Sequence, residues 1–210
     1  AAAHAAVRVL DLPQALLHNT FERYWREFVA RRDGTREWKD YTPYELRTVG
    51  TFVRLGWRER AHEALDFFFK DRQPPAWNQW AEVVSSTPRK PFFVGDLPHA
   101  WVESDYVRSA LDIFAYQREQ DDALVIAAGI PADWLQGEGV AISNLRTPQG
   151  PLAYTLKVTD GVLTLDVPAG LTLPRGGIVL TLPQPWAKGH VGGQPIKDGE
   201  VRITTLPASM

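Results

Sequence analysis

No cysteine occurs anywhere in the chain, which excludes disulfides and zinc–thiolate centres while leaving the redox compartment open. An excess of either charge is missing too. Lys and Arg number 23 against 25 Asp and Glu, a formal net charge of −2 at a pI near 6.2. That balance gives no basic footprint for nucleic acid or an anionic membrane, and neither is expected as a partner. No apolar run is long enough to span a bilayer. The opening AAAHAAVRVL has no initiator Met and no apolar stretch of a signal peptide, so it reads as the cut edge of a longer polypeptide. Absent as well are a Ser–His–Asp order, a phosphate-binding glycine loop and a metalloprotease pattern; no cofactor and no metal centre are expected.

What is present is unevenly distributed. Of the 23 Trp, Tyr and Phe residues, 20 precede Asp122, and the hydrophobic period changes from helical to alternating at the same place. Pro13 to about Arg32 carries Leu17, Phe21, Tyr24, Trp25, Phe28 and Val29 on one stripe and ends at Asp33-Gly34. Thr42-Pro43-Tyr44-Glu45 reads as a capping box opening a second helix, which stops at Gly56. Trp57 to about Lys70 completes a helical hairpin. Asp96 is placed to cap a fourth helix, with Pro98 in its first turn. Its expected core face is Trp101, Val107, Ala110, Leu111 and Phe114, and it should end near Arg118.

Beyond Asp121-Asp122 the runs are short and β-rich: Leu124–Ile126, Val140–Ile142, Leu152–Lys157, Val162–Val167, Ile178–Leu182 and Val201–Thr204. Turn clusters separate them, and Asp160-Gly161 is a two-residue hairpin signal. The expected fold is α+β: helical hairpins over residues 1–121, then an antiparallel β-sandwich over residues 122–210.

Pro74 to Arg108 is the stretch richest in possible chemistry. Irregular connections beyond about 12–15 residues are usually functional or disordered, and Trp77, Trp80, Phe92, Phe93 and Trp101 argue against disorder. Exposed indoles beside carboxylates suit a sugar, with rings for its C–H faces and acids for its hydroxyls. The bland alternative is a loop pinned by its own aromatics. Glu82 is the candidate catalytic carboxylate, against a plain solvated or capping role. Candidate substrate contacts are Trp77, Asn78, Trp80, His99, Trp101 and Glu103. His99 and Glu103 stand at i and i+4, able to hold a hydroxyl or give two metal ligands, or to form a plain surface pair.

Helical hairpins, a Trp-rich loop, a further helix and a β-rich end together resemble the C-terminal part of six-hairpin (α/α) toroid glycoside hydrolases of the α-rhamnosidase type. The residues that carry the resemblance are Trp77-Asn78-Gln79-Trp80, the helix entry Gly95-Asp96-Leu97-Pro98-His99-Ala100-Trp101, and Thr147-Pro148-Gln149-Gly150-Pro151-Leu152 before a strand. The resemblance implies the late part of a toroid followed by a terminal sandwich, with carbohydrate and the remainder of a longer polypeptide as partners. A secreted or periplasmic parent is implied as well. The family's general base, a Glu after the first Trp, aligns with Asn78, and an amide cannot take a proton from water. Either the site is inactive or another carboxylate, with Glu82 nearest, does that work. The chain alone is expected to be inactive, because a closed toroid needs more hairpins and the partner carboxylate they carry. The alternatives are a non-catalytic carbohydrate-binding or scaffold module, and a fragment whose uncovered helical faces self-associate.

Overall fold

The computed structural model describes residues 13–87, 89 and 93–210. It is an α+β protein, and its chain divides into two compact units, Ala1–Ala110 and Leu111–Met210. The expected contributions of Phe92 and of residues 1–12 lie outside the described residues.

In the first unit, α1 (Gln14–Arg32) buries Leu17, Phe21 and Phe28, the stripe its spacing predicts. Gly34, at φ 69°, follows it in the left-handed conformation that glycine adopts freely. Thr42 accepts a hydrogen bond from the Tyr44 amide, but the turn it opens, Pro43–Leu46, is 3₁₀ and becomes α2 (Arg47–Arg54) only afterwards. Glu45 does not behave as a capping-box acid. Its carboxylate accepts from Tyr24 Oη at 2.6 Å and from both terminal nitrogens of Arg31 at 2.9 and 2.7 Å, tying α1 to the start of α2. A half-buried bidentate arginine outcompetes a local amide for that acid. The Tyr24 phenol is pushed well above its usual range, first by burial and then by Glu45. Helix α3 (Arg58–Lys70) closes the hairpin, with Ala61, Ala64 and Phe68 buried against Val49, Phe52 and Val53 of the same core.

Helix α4 (Ala100–Phe114) departs from expectation at both ends and around its girth. It starts beyond Asp96 and Pro98 and stops before Ala115, where the chain becomes a strand. Its buried positions are Val102, Ser109, Asp112 and Ile113, whereas Trp101, Val107 and Leu111 are exposed. Polar residues occupy this inner face because they have partners there: Ser109 Oγ donates to the Leu46 carbonyl at 2.8 Å. No helix among the described residues is long and apolar enough to cross a membrane.

The second unit holds two four-stranded sheets and the two-stranded pair β9 (His190–Val191) and β10 (Gln194–Pro195). One four-stranded sheet has the order β11 (Glu200–Ile203), β8 (Ile178–Thr181), β4 (Ala123–Ile126), β3 (Ala115–Arg118). The other runs β12 (Ala208–Ser209), β7 (Val162–Val167), β6 (Gly150–Thr159), β5 (Val140–Thr147). The second sheet is antiparallel throughout, and its β6–β7 turn is Asp160-Gly161 with φ of 52° and 78°, as the dipeptide predicts. The first is mixed, a correction to the all-antiparallel expectation, because β4 and β8 pair in parallel. The chain leaves this sheet after β4, builds β5–β7, and re-enters beside β4 in the same direction. Leu152, Leu156 and Tyr154 of β6 and the whole of β4 are buried.

Candidate functional site

The loop between α3 and α4 folds back on itself rather than wandering. The His99 amide donates to the Trp80 carbonyl at 2.9 Å, Glu82 to Asp96 at 2.9 Å, and Val83 to Val94 at 3.1 Å. Just beyond, β2 (Val84–Ser85) pairs with β1 (Asp40–Tyr41). These bonds cinch the base of the loop and satisfy backbone groups that would otherwise need water. They also bring four side chains into one place. His99 is 8% exposed, and its Nε2 is hydrogen-bonded to Tyr44 Oη. Its Nδ1 stands 3.7 Å from Asp96 Oδ2, and Glu82 Oε2 accepts the Asp96 amide at 3.2 Å. One ligand atom from each of Glu82, Asp96 and His99 lies within 4.8 Å of the other two.

Trp101 flanks this group. It is 68% exposed, with its ring centroid 6.1 Å from His99 and 6.4 Å from Tyr44. On the Tyr44 ring rests the Arg47 guanidinium at 4.5 Å, itself paired with Asp105 at 2.7 Å. The Tyr44 phenol is pushed above its ordinary value, by removal from water first and by the Glu82 carboxylate next. Among the described residues no lysine or arginine pairs with Glu82 or Asp96.

The other residues singled out by sequence divide between surface and core. Trp77 is 58% exposed. Asn78 follows the 3₁₀ turn Pro75–Trp77 at φ 56°, ψ 36°, a left-handed position that Asn tolerates and Glu resists. That gives the amide a backbone reason to be there. Trp80 belongs to the core. It is 5% exposed, donates Nε1–H to the Phe68 carbonyl at 2.9 Å and lies 4.7 Å from the Tyr106 ring. Glu103, one turn beyond His99, keeps Oε1 buried without a hydrogen-bond partner among the described residues. Sequence reasoning missed Tyr44 and the chemical place of Asp96, since both were absorbed by helix-start signals. The i, i+3 spacing of Asp96 and His99 was the available clue.

Hollows elsewhere carry less chemistry. One of about 360 Å³ is lined by Arg32, Glu63, Asp66 and Lys70, whose charges are already paired as Arg32–Glu63 and Lys70–Asp66. Comparison with known proteins finds no matching family model, no similar curated protein and no similar solved structure.

Proposed function

We propose that the chain is the C-terminal part of a carbohydrate-active, glycoside hydrolase-like protein of the α-rhamnosidase type, and that it supplies a sugar-contacting wall without turning over glycosides alone. The observation that carries this reading is the Trp101 indole, 68% exposed beside buried His99, Tyr44 and two carboxylates. An open ring face next to hydrogen-bonding groups of both kinds matches a sugar's apolar and hydroxylated sides. Exposed Val107 and Leu111 on the same helix fit a surface that further polypeptide covers.

A non-catalytic binding module is the second reading. Two observations favour it: Asn78 in its left-handed turn, and a Glu82 carboxylate already engaged with the Asp96 amide. Tryptophan fluorescence during titration with rhamnose and rhamnose-containing oligosaccharides tests the shared claim. Binding should weaken about tenfold in Trp101→Ala, the equivalent of about 1.4 kcal/mol. No sugar-dependent signal in either protein would remove the reading. Turnover of aryl glycosides by the purified chain would contradict the expected inactivity and exclude the module.

A further inference from the structure

The geometry points to a divalent transition-metal site at Glu82, Asp96 and His99, with zinc as its best-suited occupant. The inference stands apart from the sugar-facing reading, since it uses only the donor atoms and how they are held.

His99 is buried, and its ring is fixed from behind by Tyr44 at Nε2. When Nε2–H donates to Tyr44 Oη, the tautomer is set and the Nδ1 lone pair faces the loop. Metal-bound histidines are commonly oriented in this way, with the second ring nitrogen engaged by an oxygen acceptor. Nδ1 and Asp96 Oδ2 are 3.7 Å apart, too far for a hydrogen bond and close to the separation of two ligands on one small cation. All three donor atoms fall within 4.8 Å of one another, so small rotations of two side chains bring them onto bonds of about 2.0–2.2 Å.

The protein holds one carboxylate in place and leaves the other adjustable. Glu82 is pressed against Gly95 and bonded to the Asp96 amide, whereas Asp96 is largely exposed and free to rotate. Two negative charges and a neutral imidazole suit a 2+ ion. Calcium and magnesium prefer all-oxygen shells, so the imidazole selects zinc and its neighbours. Three protein ligands leave a coordination position for water or for a ligand oxygen.

The test is isothermal titration of the chelator-treated chain with zinc chloride, and with calcium and magnesium chlorides for comparison. One zinc per chain is expected, with calcium and magnesium at least about a hundredfold weaker. Asp96→Asn is the first variant, because its exposed side chain puts folding at little risk; Glu82→Gln is the second. Each should weaken zinc binding at least about tenfold, the low end for disturbing a metal's surroundings. Cobalt(II) substitution should give a visible absorption band that both variants diminish. Absence of stoichiometric zinc binding would overturn the inference. So would affinity unchanged in both variants, which would assign the zinc to one of the other histidines.

Discussion

Gly95 lies so close to Glu82 that a Cβ placed on it would come within 2.7 Å of the glutamate's own Cβ. Gly95 also has φ 68°, so both its backbone and its lack of a side chain hold the loop in register with Glu82. Gly95→Ala should cost about 1–3 kcal/mol in urea denaturation, through left-handed strain and displacement of the acid. In a Glu82→Gly background the cost should shrink by at least about 0.5 kcal/mol, since only the strain remains. Equal costs in both backgrounds would show that the close approach is unimportant.

Arg58 is the opposite case, a charge with too few partners. Its side chain is buried at the start of α3, Nε and Nη2 have no hydrogen-bond partner among the described residues, and burial lowers its pKa against the opposing pull of Glu59. A buried guanidinium with two nitrogens left without hydrogen bonds is costly, whereas Met keeps the apolar stem. Arg58→Met should therefore raise stability by about 1 kcal/mol or more. A loss of similar size on denaturation would mean that the guanidinium has a partner beyond the described residues.

In the second unit Asp121 accepts from Arg118 at 3.0 Å and from Arg202 at 2.6 Å, and Arg118 also reaches Glu200 at 2.6 Å. The Arg118 hydrogen bond leads in pulling the Asp121 carboxyl down to about 2. A carboxylate with a depressed folded pKa contributes stability above its unfolded value of about 3.9, and loses it as pH falls through the folded one. Asp121→Asn should thus cost about 1 kcal/mol at pH 6, a figure kept small because these groups are part-exposed. The gap from wild type should narrow below about pH 4 and close near pH 2. A gap independent of pH between 6 and 2 would mean that packing, not charge, is lost.

Tyr154 is fully buried in β6, and its hydroxyl donates to the Phe114 carbonyl at 3.0 Å. That carbonyl also accepts the Ala127 amide at 3.0 Å, so Tyr154→Phe leaves no orphaned acceptor. The expected loss is about 0.5–1.5 kcal/mol, measured by thermal and chemical denaturation. A loss above about 3 kcal/mol would indicate repacking of the sheet.

Legibility in the sequence followed the physics of each signal. Helices α1 to α3 were readable because long apolar stripes and the glycines at 34 and 56 agree. Strand β7 was readable because Leu165 and Val167 alternate with exposed Thr164 and Asp166. In helix α4 the apolar spacing marks an outer face, while Ser109 and Asp112 turn inward, so its burial is not legible from period alone. Strand β3 was hidden because Ala115–Arg118 has no strand pattern of its own; pairing with β4 makes it one. The Tyr44–His99 contact spans 55 residues, and no local spacing reports such a meeting.

The strand order has a consequence for how the polypeptide is made. The chain lays down β3 and β4, departs to build β5–β7, returns for β8 and β11, and only then adds β12 to the other sheet. Both sheets therefore gain an outer strand from residues 200–209, which are made after every other strand of the two sheets. A message stopped before Glu200 would yield a protein with β8 and β7 each bare along one side. Two open ladders on one truncated product invite pairing with other chains, so premature termination here creates an aggregation hazard and not merely a weaker fold.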